Sequence, residues 1–240
     1  MERLINELKN KIIEMKTLTN NSFDLSDERL DDLYSVYPFN KFEYVISHLI
    51  ATKTITLQEY LDIRNSYLER NKYLYVFEMT APRTFGETWA QRHLNEVVPE
   101  LRMPSTNLDP TYSGEYDFWY NGIKIEVKAS RAVKRKSGDS LIIKALSSDS
   151  SSGFDMNFQQ IKPACCDVFV WIAVWRDKIR YWVLSSDEVA NNEYYSVGQH
   201  RGNIGEGQLW LKETNIDKFD EYEVSVRDIL SAIVNKANKS

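Results

Sequence analysis

Along the first third of the chain, apolar residues recur at helical spacing: Leu4, Leu8 and Ile12, then Leu30, Leu33 and Val36, then Tyr44, Val45, His48 and Leu49. Ser26 stands as an N-cap before Asp27 and Glu28. Thr56 followed by Glu59 is a capping-box pattern opening a long helix that carries Tyr60, Ile63, Tyr67 and Leu68. Residues 1–80 are therefore expected to form a helical lobe. Inside it, residues 42–67 read as a helix, a Thr-Lys-Thr turn and a second helix, a pairing that more often serves as scaffold than as a DNA reader. From Ala81 the periodicity changes. One helix is expected over residues 84–98 and strands over 116–120, 123–128, 141–146, 168–175 and 179–184. A helical stretch at 156–162 is expected to end before Pro163, and an amphipathic helix over 226–236 closes the chain. Residues 81–240 thus read as a mixed α/β (α+β) domain, with the Ser-rich stretch 147–153 as a loop.

The most informative segment runs from Glu115 to Lys128, because Asn121-Gly122 lies between two alternating runs and marks a two-residue hairpin turn. That turn fixes the register: Tyr120 faces Ile123, Phe118 faces Ile125, Asp117 faces Glu126 and Glu115 faces Lys128. Ile123, Ile125 and Val127 then share an apolar face with Phe118 and Tyr120, and Asp117, Glu126, Lys128 and Glu115 share the other. Two carboxylates opposed across strands repel unless a positive charge lies between them. Mg²⁺ suits that place, since it is held by one or two carboxylates together with phosphate oxygens, and Lys128 lies on the same face to orient a water or offset developing charge. Alternating charge is also what an ordinary solvent-facing strand carries, with Lys128 and Glu115 as a cross-strand ion pair.

Charge distribution favours the chemical reading. The net charge is -5 and the pI about 5.4, which excludes a protein that coats nucleic acid by bulk charge. Yet Lys124, Lys128, Arg131, Lys134, Arg135, Lys136 and Lys144 outweigh Glu126 and Asp139 within residues 124–144, so a basic segment begins on the hairpin strand and rides on an acidic body. A phosphodiester substrate needs such a segment beside the carboxylates. Arg131, Lys134, Arg135, Lys136 and Lys144, with His200, Arg201 and Asn203 further on, are the candidate DNA contacts.

Other classes find little support. Cys165 and Cys166 are adjacent and offer no structural disulfide, and three scattered histidines assemble no zinc site. There is no glycine-rich phosphate loop. A mean hydropathy of -0.47, no apolar run of spanning length and no secretory pattern at the N-terminus give the expectation of a cytoplasmic protein without a membrane span.

Asp117 in one strand and Glu126-Val127-Lys128 in the next resemble the PD-(D/E)xK nuclease motif, in a context similar to a type II restriction endonuclease. The resemblance covers roughly residues 84–184 and includes the helix with Phe85-Gly86-Glu87-Thr88-Trp89 and the segment Asn157-Phe158-Gln159-Gln160 leading to an apolar strand. It implies a mixed central β-sheet flanked by helices, Mg²⁺ on Asp117 and Glu126, Lys128 as catalytic lysine, and Glu87 and Gln160 as auxiliary residues. It also implies sequence-specific cleavage of double-stranded DNA, with a homodimer matching a palindromic site. The chain departs from the pattern at Tyr116, where the motif has proline, and in the short spacing between Asp117 and Glu126. Asp109, before Pro110, is a rival first acid, and Thr84 with Glu87 also forms a capping-box pattern. A structure-directed repair or junction-resolving nuclease, and a non-catalytic DNA-binding module on a degenerated nuclease core, are the alternatives.

Overall fold

A computed structural model describes residues 49–135, 138–198 and 206–238, together with residues 6, 10, 14 and 46. The Ser26 cap and most of the helical pattern before Leu49 lie outside the described residues. The chain divides into two compact units, Met1–Asn71 and Lys72–Ser240. In the first, helix α1 (Leu57–Arg70) begins with the expected capping box. The Thr56 N–H donates to Glu59 Oε2 at 2.7 Å and the Glu59 N–H to Thr56 Oγ1 at 3.1 Å, which satisfies two donors that a helix start leaves open. No described helix is long and apolar enough to cross a membrane.

The second unit is a mixed α/β structure with two sheets. A π-helical segment, Thr84–Ala90, runs directly into α2 (Gln91–Val97). The strands are β1 (Phe118–Tyr120), β2 (Ile123–Arg131), β3 (Val133–Lys134), β4 (Phe154–Ile161), β5 (Val168–Val174), β6 (Ile179–Ser185), β7 (Tyr195–Val197), β8 (Gly207–Lys212) and β9 (Glu223–Val224). The mixed sheet has the order β1-β2-β5-β6-β9, with β2 and β5 parallel and the other pairs antiparallel; the second sheet is antiparallel, β3-β4-β8-β7. A short helix α3 (Leu141–Lys144) lies in the crossover, α4 (Ser186–Ala190) follows β6, and α5 (Ile229–Ala237) ends the fold.

Strand β5 is buried over its whole length, as a central strand covered on both faces must be. Its alternating residues divide the core. Phe169, Trp171 and Ala173 pack in one cluster with Met156 and Phe158 of β4 and Leu209 and Leu211 of β8. The Trp171 and Phe158 rings stack at 5.0 Å. In the parallel pairing, Glu126 stands beside Phe169 and Lys128 beside Trp171, so both charged residues lie on this same inter-sheet side. On the opposite side, Arg131 reaches the π-helical segment, its guanidinium 4.1 Å from the Phe85 ring.

Two expected elements are corrected. The stretch expected as helix over 156–162 is strand as far as Ile161: Phe154, Met156 and Phe158 alternate inward, and an irregularity between Phe158 and Ile161 restores the inward direction one residue later. That offset gives the sequence its false helical spacing. Residues 141–146 are not a strand. Leu141–Lys144 is a helical turn with no buried residue and Ile143 71% exposed, and Ala145 forms only an isolated bridge with Val133. The Leu-Ile-Ile run lacks the alternation that would have directed one face inward.

A candidate active site on the β1–β2 hairpin

Asn121 and Gly122 both have positive φ, 47° and 92°, the conformation that a two-residue hairpin turn requires. The register follows: Phe118 pairs with Ile125, Trp119 with Lys124 and Tyr120 with Ile123, which brings Asp117 opposite Glu126. Formal pairing stops at Phe118. Beyond it, the Asp117 carboxylate accepts the Val127 N–H at 2.8 Å and the Gln91 amide at 2.6 Å, so one oxygen is held by β2 and the other by α2.

Glu126 is only 9% exposed. Its Oε1 lies 2.6 Å from Lys128 Nζ, two residues along the same face. Burial pushes the Glu126 carboxyl up to about 8; Lys128 works against that shift, and the Asp117 charge adds to it. The hairpin therefore places a desolvated carboxyl, a second carboxylate and an ammonium together, an arrangement whose desolvation costs stability and which clusters at functional sites. Tyr112 borders the group. Burial raises its phenol, and the charges of Asp117, Glu115 and Glu126 raise it further.

The remaining expected residues are distributed as follows. Glu87 belongs to the π-helical segment; its side chain lies outside the described residues. The Thr84–Glu87 capping box is replaced by a π-helical run that starts after Arg83 without a side-chain cap. Gln160 is exposed at the end of β4 with a left-handed φ of 54°. Glu115 accepts hydrogen bonds from the Ser113 N–H and hydroxyl, so the ion pair of Lys128 is with Glu126 and not across the hairpin. Asp109 is engaged elsewhere: Thr111 donates two hydrogen bonds, Tyr116 one, and Lys124 Nζ lies at 3.1 Å, which together hold its carboxyl well below the usual range.

Of the basic segment, two guanidiniums face the fold. Arg131 donates to Val76 O at 3.1 Å and Met79 O at 2.7 Å. Arg135 pairs with Asp155 at 2.9 Å and Glu213 at 2.8 Å. Lys134 is exposed and Lys144 partly so. Lys136, His200, Arg201 and Asn203 lie outside the described residues.

Three neighbours escaped the sequence. Gln91 is a polar residue on a helix, a type that ordinarily faces solvent. Lys162 follows β4 and pairs with the buried Glu206 at 2.8 Å, within the electrostatic reach of Glu126. Cys165 lies in the turn before β5. Gln91 touches the site directly, Lys162 and Cys165 act on Glu126 through their charge, and no local spacing signals any of them.

Among the described residues, no three His, Cys, Asp or Glu side chains are grouped to hold a metal. Asp117 and Glu126 are two hard oxygen donors, a set that fits Mg²⁺ when phosphate oxygens and water complete its shell, and does not fit zinc. No protein-family model matches the chain, and no curated protein matches it.

Proposed function

We propose that this chain is a Mg²⁺-dependent endonuclease of double-stranded DNA, with a PD-(D/E)xK core of the type II restriction endonuclease kind, acting as a homodimer on a site of two-fold symmetry. The observation that carries the reading is the desolvated Glu126 carboxylate opposite Asp117 with Lys128 Nζ 2.6 Å away. Charges so arranged cost stability and point to chemistry. Asp117 and Glu126 would hold the metal, which when bound supplies positive charge to the phosphate oxygens and a lowered pKa to water. Lys128 orients the attacking water and offsets charge on the phosphorane. Water oxygen bonds to phosphorus, the bond to the leaving sugar oxygen breaks, the water proton passes to solvent and the leaving oxygen takes up another. Gln91 fixes one oxygen of Asp117, and the exposed Lys134 offers charge to the DNA backbone.

The test is incubation of the purified protein with plasmid and phage DNA in Mg²⁺ or in EDTA. Discrete, Mg²⁺-dependent fragments that disappear with Glu126→Ala and with Lys128→Ala are expected. Full cleavage by either variant sinks the assignment, a smear points to a structure-directed or nonspecific nuclease, binding without cleavage leaves the non-catalytic DNA-binding module, and absence of both removes DNA as the substrate.

A further inference from the structure

The Ser-rich stretch 147–153 lies at the opposite end of β5 from the hairpin carboxylates: Glu126 stands beside Phe169 near the start of that strand, and Trp175 follows its end. Both ends of the stretch are tied down. Leu146 donates its N–H to Ala132 O at 3.1 Å and accepts the Arg176 N–H at 3.0 Å, while Asp177 accepts the Ser148 N–H and hydroxyl, each at 2.7 Å. At the far end the Arg135 N–H donates to Gly153 O at 3.4 Å, and β4 begins at Phe154. The Trp175 N–H donates to Lys178 O at 2.8 Å and closes the turn from β5 to β6. Between that turn and the serine loop lies a cavity of about 220 Å³, the liquid volume of roughly seven waters.

The lining carries one sign of charge: Lys178 and Arg180 line the cavity, and no carboxylate of the described residues does. Arg180 is fixed in place. Its Nε donates to Glu223 at 2.9 Å and its Nη2 to Asp220 at 3.0 Å and to Glu223, and the guanidinium lies 5.0 Å from the Trp182 ring and 5.9 Å from that of Trp175. The two N–H groups of Nη1 are left to donate. Lys178 enters no ion pair among the described residues and offers three donors more. Serines add hydroxyls. Ser147 is 5% exposed, and neither its Oγ nor that of Ser152 has a hydrogen-bond partner among the described residues. A buried hydroxyl without a partner costs stability, and a wall of cations and hydroxyl donors matches an anion. Leu146, Phe154 and Ile216 give the cavity an apolar side as well, which suits the carbon frame of an organic ligand.

We propose that this cavity is a binding site for a small organic phosphate of about pentose size, its phosphate held by Lys178, Arg180 and the Ser147 and Ser152 hydroxyls and its carbon frame on the apolar side. A pentose phosphate comes free in solution or as the 5′-phosphorylated end of a nucleic-acid strand; the chemistry that recognises it here is the same. The site stands apart from the hairpin carboxylates and does not depend on the nuclease reading.

The experiment is calorimetric titration of the full chain with ribose 5-phosphate, without DNA or Mg²⁺. Saturable binding is expected, with ribose and inorganic phosphate each weaker by about tenfold or more, since each keeps only part of the contacts. Ser147→Ala and Lys178→Gln should each weaken ribose 5-phosphate by about tenfold or more, the loss of one charge-assisted hydrogen bond, while Lys178→Arg keeps most of the affinity. Because the Ser147 hydroxyl bonds nothing within the protein, Ser147→Ala should melt no lower than wild type, which separates lost binding from lost fold. Exposed Lys178 supplies a second variant that leaves the core intact. A 5′-phosphorylated oligonucleotide that competes with equal affinity assigns the ligand to a strand end, and one that fails to compete assigns it to a free sugar phosphate. Absence of heat at about 10 mM ribose 5-phosphate, or affinity unchanged in Ser147→Ala or in Lys178→Gln, overturns the proposal. Equal affinity for inorganic phosphate or for ribose overturns it as well, by removing the organic or the anionic half.

Discussion

Replacing Arg131 with methionine removes a guanidinium while keeping most of the side chain's length, which isolates the polar contribution of this residue between β2 and the 3-10 helix Leu74–Glu78. Two carbonyls depend on it, Val76 O within that helix and Met79 O just after it. A hydrogen bond with a charged partner contributes about 1.5–3 kcal/mol. The stack on Phe85, at 4.1 Å, adds about 1 kcal/mol in partly desolvated surroundings. Desolvation offsets part of this, since burial already holds the guanidinium down to about 10. A net loss of about 3 kcal/mol is expected for Arg131→Met, equivalent to a Tm lowered by about 6–12 °C for a domain of this size. Urea unfolding and a thermal melt measure it, and DNA affinity against salt concentration supplies the contrast. If Arg131 acts on the fold, stability falls and the salt slope keeps its value. Stability within about 0.5 kcal/mol of wild type, with a slope reduced by about one, would show a phosphate contact instead and refute the argument.

Three further outcomes are expected. The Glu126 carboxyl is raised in the folded protein, so the fold favours its neutral form: stability in EDTA should be greatest in the ordinary carboxylate range and fall as pH rises towards about 8. Glu126→Gln should flatten that fall and abolish cleavage, and urea midpoints across the range that track wild type contradict it. Gln91→Ala removes the amide 2.6 Å from Asp117, and cleavage should drop about tenfold to hundredfold with DNA affinity kept, the worth of one charge-assisted bond; unchanged turnover would remove Gln91 from the site. At Gln160, with its φ of 54°, Gln160→Gly should raise stability by up to about 1 kcal/mol. If its cleavage collapses, the side chain and not the backbone is what matters there.

The parts of the molecule legible in the sequence are those with local causes. The Asn121-Gly122 turn determines the hairpin register by itself, and with it the opposition of Asp117 and Glu126. The Thr56–Glu59 box needs only its own four residues. The helix expected over 226–236 appears as a 3-10 turn, Val226–Asp228, followed by α5, because its apolar spacing is continuous. What escaped depends on distant partners. β8 and β9 read as strands only once β4 and β6 are there to pair with them. The same holds for the site. Its acids and lysine share one hairpin, whereas Gln91, Lys162 and Cys165 come from elements whose meeting no spacing rule encodes. Arg131 and Arg135 look from sequence like free cations, and tertiary carbonyl and carboxylate partners turn them inward.

The parallel pairing of β2 with β5 has a consequence for how the protein comes to be active. Two strands that run the same way cannot be joined by a tight turn, and here residues 132–167, including β3 and β4, intervene between them. Closing so long a loop is entropically costly and slow compared with forming the β1–β2 hairpin. The hairpin can therefore bring Asp117 and Glu126 opposite one another early, while both remain hydrated. Only when β5 docks and the β4–β8 sheet covers Phe169 and Trp171 does water leave Glu126. A chain still folding carries the right residues in the right register without the desolvated site, so on the proposed nuclease reading the power to cut would arrive last, with the completed fold.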